Sequence, residues 1–255
     1  MVCKLYNVGY EFDSTNGGRC VIIERVSSKN ITIKFIESGY ITTTTSARIS
    51  TGHVKDLTLP TVCGVGYSND GLYSRFDIID GKKIQNKCYV SWSSMIRRCY
   101  DENQRHKNIA YVNCSVCDEW LYFQNYADFY HNYPYKEGDW QLDKDILVKG
   151  NNIYSDNFCC FVPQEINKLL SLNSNIRGKY AIGVSYRLDI NKYSAHMNVN
   201  GKLKSLGEFD SEMEAFLSYK DHKEKYIKKL ADKWRHKLDI RVYDSLMNWN
   251  ISFDD

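Results

Sequence analysis

The chain has 255 residues, room for two or three small domains, and its 43% hydrophobic and 25% charged content is ordinary for a globular protein. No apolar run approaches the length of a bilayer span, the N-terminus lacks a secretory pattern, and nine cysteines are an odd number for a disulfide framework, so a cytoplasmic protein with reduced thiols and no membrane partner is expected. A net charge of +3 is modest, and any grip on a polyanion has to come from a local excess of charge.

Residues 1–75 read as a small all-β module. VIIERV and ITIKFI are short β-branched runs separated by the turn-like cluster Ser27–Asn30, with Gly17–Gly18 before and Ser38–Gly39 after. ITTTTSARI follows as a third strand or edge, and the whole is expected to make a small β barrel or curled sheet of at most about six strands. The segment Cys63–Tyr73, CGVGYSNDGLY, is glycine-rich but lacks the strand-then-helix setting and the Lys-Ser/Thr ending of a phosphate loop; it reads as a turn.

Residues 88–132 read as two helical pieces. Trp92, Met95, Ile96 and Cys99 recur at three- and four-residue spacing, and DEWLYFQNYADFY places Trp120, Phe123, Tyr126 or Ala127, and Tyr130 on one side. Cys114 and Cys117 form a C-x-x-C pair that, with Cys99 and Cys159, could assemble a tetrahedral zinc site; the other reading is a set of buried thiols. The stretch 140–167, WQLDKDILVKGNNIYSDNFCCFVPQEIN, then runs strand, turn, strand, helix. Asp143 stands at a strand end with Lys144 after it, a polar turn occupies Lys149–Asn152, Asp156 and Asn157 precede an apolar run, and a helix opens near Pro163.

This order resembles the ββα-metal motif of bacteriophage HNH endonucleases, the free-standing homing type included. The motifs that carry the likeness are RRCY (97–100), YVNCSVCDEW (111–120), LYFQNYADFY (121–130) and the 140–167 stretch, so it covers about residues 88–170. The β module loosely resembles one that accompanies such proteins. The resemblance implies metal-assisted phosphodiester hydrolysis, with Asp143 and Asn157 as ligands of Mg²⁺ or Mn²⁺ and Lys144 where the family has its His. That last position is a departure, because a lysine near its usual pKa of about 10.4 is a poor base at neutral pH. No second helical His follows either.

The pattern changes after Lys179. Ala195, Met197 and Val199 alternate with Ser194, His196 and Asn198, Asn200-Gly201 is a strong hairpin signal, and Asp189–Lys192 supplies another turn. Ser211-x-x-Glu214 is a capping box, opening a helix with Phe216, Tyr219, Lys223, Tyr226, Leu230 and Trp234 along one seam. The Lys223 stem is expected to lie on apolar surface with its charge outside. Between Ile176 and Gly207 stand six Lys/Arg against one acid, a candidate polyanion footprint.

Three strands and one helix, with AIGVS, KYSAHM, LGEF and SEMEAFLSYK in order, resemble the apetala/ethylene-response-factor DNA-binding domain over about residues 176–235. The resemblance implies a sheet laid in the DNA major groove on its helix-free face, here Ser185, Arg187, His196 and Asn198 with Ser205 beyond. Arg suits guanine and Asn adenine, while Lys192, Lys202 and Lys204 would meet phosphates. The expected fold class is therefore α+β: a β barrel at 1–75, an HNH-like ββα domain at 85–172 and a DNA-reading domain at 176–238. The expected function is a phage-type, metal-dependent endonuclease acting on double-stranded DNA. A non-catalytic DNA-binding protein on the same scaffold is the alternative. The closing segment, with its amphipathic VYDSLMNW, suggests no function.

Overall fold

The computed structural model describes residues 6–107, 111–134, 138–170 and 178–255. Arg177 of the basic stretch and Met1–Leu5 of the β module lie outside them. The chain divides into two compact units, residues 1–132 and 133–255, with the boundary inside the stretch expected to form the HNH-like domain.

The first unit opens with a four-stranded antiparallel meander: β1 (Glu11–Ser14), β2 (Gly18–Ser27), β3 (Asn30–Phe35) and β4 (Ile41–Thr44), hydrogen-bonded in that order. The expected barrel is not formed. β1 and β4 end the sheet as edges, and what curls it is a pair of bulges in β2, at Ile22/Glu24 and Arg25/Ser27. Four strands are too few to close a cylinder around a side-chain core. Closure is replaced by a lid. Ile31, Ile33 and Phe35 alternate inward along β3 and pack with Cys20, Ile22 and Ile49, the last from α1 (Ser46–Thr51). The third expected strand therefore stops at Thr44, because Thr45 caps α1, its hydroxyl accepting from Arg48 N.

The β5–β6 hairpin (Phe76–Ile79 and Lys82–Gln85) turns at Asp80-Gly81, both at positive φ. α2 (Lys87–Tyr100) starts at Asn86, whose side chain accepts from Tyr89 N, and α3 (Glu102–Lys107) and β7 (Ser115–Val116) follow. The second aromatic segment splits into a 3₁₀ turn at Asp118–Leu121 and α4 (Phe123–Asn132). α2 and α4 pack through buried Trp92, Met95, Ile96, Phe123 and Tyr126, and Trp92 Nε1 donates to Trp120 O at 2.7 Å. Gln124 accepts from Tyr73 N and donates to Asn69 O and Tyr73 O, so the glycine-rich segment is a loop pinned by a side chain.

In the second unit β8 (Gln141–Asp143) pairs antiparallel with β10 (Cys160–Val162), with β9 (Ile153–Tyr154) between them in sequence and α5 (Gln164–Leu170) after. Then come β11 (Val184–Arg187), β12 (Lys192–Val199) and β13 (Lys202–Phe209), an antiparallel sheet in chain order, and α6 (Glu212–Trp234), which opens on the expected Ser211/Glu214 capping box. α6 covers one face of the sheet, where Ala195 and Met197 are buried with Ala215, Phe216 and Tyr219. The approach is close enough that only glycine fits at 183: a Cβ there would lie 2.1 Å from the Tyr219 ring. α7 (Ile240–Met247) and the residues after it fold back on α6. Lys220 Nζ donates to Ile251 O at 2.6 Å, and Ile251 N donates to Glu224 at 2.8 Å.

Candidate nucleic-acid interface and metal site

Asp143 closes β8 opposite Cys160. Its Oδ1 accepts from Asp145 N at 2.7 Å and Ile146 N at 2.9 Å, fixing the turn that leaves the strand. Burial raises its pKa above the usual carboxylate range, and the two N–H donors oppose that rise. Oδ2 takes no hydrogen bond among the described residues. Lys144 is 7% exposed, and its ammonium donates to Asp145 Oδ1 at 2.7 Å and Asn151 O at 2.8 Å. Asn151 Nδ2 returns bonds to Lys144 O and Ile153 O, so residues 144–153 form one knotted loop. In this position Lys144 is a staple, its ammonium donating to a carboxylate and a backbone carbonyl of its own loop.

Asn157 is exposed in the turn after β9, and Ser155 at the start of that turn has a buried Oγ with no hydrogen-bond partner among the described residues. Among the described residues no three His, Cys, Asp or Glu side chains gather to hold a metal. Cys99, Cys114 and Cys159 are buried and Cys117 half-buried. Of the two ligands that the resemblance implies, Asp143 offers its Oδ2 and Asn157 an exposed amide oxygen. A small hard ion that keeps several waters accepts so sparse a set.

On the sheet, residues opposite each other in register share a face. Ser185 pairs with Ser194, Arg187 with Lys192, His196 with Ser205 and Asn198 with Leu203, which puts the expected reading residues and Lys192 together on the face away from α6. Lys204 and Lys202 pair with Met197 and Val199, so they share the helix-side face, as exposed residues near the hairpin end. The free face also carries acids. Arg187 is held by Asp189 through Nε at 2.9 Å and NH2 at 2.5 Å, and its NH1 lies 3.6 Å from Glu208; Lys192 pairs with Asp210 at 3.1 Å. Asp189 keeps the guanidinium pKa above its ordinary value, and Arg187 holds the Asp189 carboxyl below its own.

Glu208 escaped sequence reasoning for a definite reason. Counting back from the Asn200-Gly201 turn puts it on the α6 side, but the ladder slips between Ala195 and His196, and the slip sends Glu208 opposite Ser194. Lys223 also differs from expectation. Its ammonium donates to Leu169 O at 2.8 Å, and burial lowers its pKa to about 8. It lines a cleft of about 550 Å³ between α5, α6 and the β12–β13 hairpin, with Lys168, Asn198, Asn200 and Tyr226.

Comparison of the chain with protein-family models, with curated proteins and with solved structures returned no match.

Proposed function

We propose that the chain binds double-stranded DNA through the free face of the β11–β13 sheet, as the resemblance to ethylene-response-factor domains suggests. One observation carries this reading. A three-stranded antiparallel sheet is backed by a helix on one side and presents Ser185, Arg187, Ser194, His196, Asn198 and Ser205 on the other. A twisted ribbon of this width fits the major groove, where a guanidinium suits guanine and a carboxamide adenine. The Arg187–Asp189 pair is exposed and salt-screened, so it exchanges for a base edge without the penalty of breaking a buried pair.

The test is duplex binding followed by fluorescence anisotropy with Arg187→Ala, His196→Ala. The expected result is a loss of roughly ten-fold or more on preferred sequences, together with flattened preference. Unchanged binding by the double variant removes the sheet from the interface.

A second reading, metal-dependent cleavage, is favoured by Asp143, whose Oδ1 shapes the turn while Oδ2 stays available next to the loop that leads to Asn157. Asp143 and Asn157 would hold Mg²⁺ or Mn²⁺, which when bound stabilises charge on the phosphate and the leaving oxygen. Lys144 then organises the loop, since its ammonium is engaged by Asp145 and Asn151. Metal-dependent nicking of DNA that Asp143→Ala abolishes supports this reading. Equal binding with no nicking by either protein leaves DNA binding alone.

A further inference from the structure

The first unit holds a second candidate site, one the sheet reading does not use. A cleft of about 420 Å³ opens between β4 and α1 on one side and the β5–β6 hairpin and α2 on the other. Arg48, His53, Lys55, Arg75 and Lys83 all line it, and among the described residues no carboxylate does. Arg75 alone of the four fixed cations has an acid, Asp70, at 3.0 Å. Arg48, Lys55 and Lys83 make no ion pair among the described residues. Like charges brought together on concave walls repel one another and focus a positive potential, an arrangement that a bound anion relieves.

Two further observations narrow the ligand. Thr44, in the cleft wall at the end of edge strand β4, is 4% exposed, and its buried Oγ1 has no hydrogen-bond partner among the described residues. Buried hydroxyls are normally bonded, and an oxyanion, or the water it orders, supplies what this one lacks. The cleft also has a flat wall, Phe76 stacked on Tyr89 with centroids 6.4 Å apart, and Lys83 Nζ lies 4.3 Å from the Phe76 centroid. Cations beside a ring suit a phosphate joined to a planar group.

From this juxtaposition we propose that the cleft binds a phosphate ester, the phosphate of a nucleotide unit, held by Arg48, Lys55, Arg75 and Lys83. The source is either a free nucleotide or a nucleic-acid strand. Calorimetry on the full chain with inorganic phosphate, adenosine 5′-monophosphate, adenosine and short single- and double-stranded oligonucleotides tests it. Phosphate-bearing probes are expected to bind and adenosine to fail, with Arg48→Gln, Lys55→Gln weakening binding by ten-fold or more. Both side chains are exposed, so the fold should survive, which an unchanged melting temperature verifies. Thr44→Val should weaken binding without lowering stability.

Tighter binding of an oligonucleotide than of the monophosphate assigns the site to a strand; the reverse assigns it to a free nucleotide. The Arg187→Ala, His196→Ala variant keeps this site intact, so monophosphate binding that survives it separates this proposal from the sheet reading. No binding of any phosphate-bearing probe overturns the proposal, as does binding that the Arg48 and Lys55 changes leave untouched.

Discussion

At the scale of single residues, the second unit uses its buried charges as fasteners. Lys144 closes one loop and Lys223 grips the last turn of α5, each through backbone carbonyl oxygen. The two differ in that Lys144 has a carboxylate beside it and Lys223 pairs with no acid among the described residues, so burial dominates the Lys223 titration. With its folded pKa lowered to about 8 from an ordinary 10.5, the charged form is disfavoured in the folded state. Below pH 8 folded and unfolded chains both carry the proton and the folded one bears the full desolvation cost. As pH rises from about 8 towards 10.5 the folded chain sheds the proton first and that cost disappears. Lys223→Met should therefore raise stability at pH 7 by about 1–2 kcal/mol, the gain being what remains after loss of the Leu169 hydrogen bond. The gain should shrink as pH approaches 10. Urea unfolding at pH 7 and pH 9.5 checks this, and a variant less stable than wild type at both values contradicts it. Lys144→Met carries the opposite sign, because it removes the ammonium from Asp145 and from Asn151 O. It should cost about 1–2 kcal/mol at neutral pH, read from the same urea curves.

At the scale of elements, the contact between sheet and α6 depends on Gly183. The backbone there has φ +76° and the Tyr219 ring occupies the place of a side chain. Gly183→Ala adds both strain and overlap, and should destabilise the second unit by about 2–4 kcal/mol in chemical denaturation. A loss below about 1 kcal/mol would mean that α6 can slide away from the strand at little cost. The elements that were legible in the sequence are those specified locally. Asn200-Gly201 set a hairpin, Ser211 and Glu214 a helix start, and alternation along β12 the buried face of Ala195 and Met197. What was not legible depends on partners distant in sequence or on a slip of register. The barrel failed because closure needs strands that the chain spends on α1 and on the β5–β6 hairpin. Glu208 reached the free face through a bulge that no dipeptide announces, next to Gly207 at φ +127°. Asp143 was legible as a strand-end acid, but the capture of Lys144 by its own loop arises only when Asn151 folds back seven residues later.

At the scale of the whole molecule, charge is spent unevenly. The count that made 176–207 so basic stops just short of Glu208 and Asp210, and the structure turns both back onto Arg187 and Lys192. The free face is therefore close to neutral, whereas the cleft of the first unit keeps three cations without acids among the described residues. If duplex DNA meets this near-neutral face, groove contacts rather than bulk attraction have to supply discrimination, and the acids would act as a brake on loose binding to phosphate. Releasing that brake should be measurable. Glu208→Gln removes one negative charge beside Arg187 and leaves the Asp189 pair in place. If duplex DNA meets this face, the substitution should tighten binding at low salt by roughly two- to five-fold, with a smaller gain on preferred than on random sequence. Raising the salt should erase the difference, because a charge on an exposed face acts through a screened field. Anisotropy titrations of wild type and Glu208→Gln at several salt concentrations read both effects. Identical affinities at low salt would place the DNA away from Arg187, and the sheet would lose its assignment.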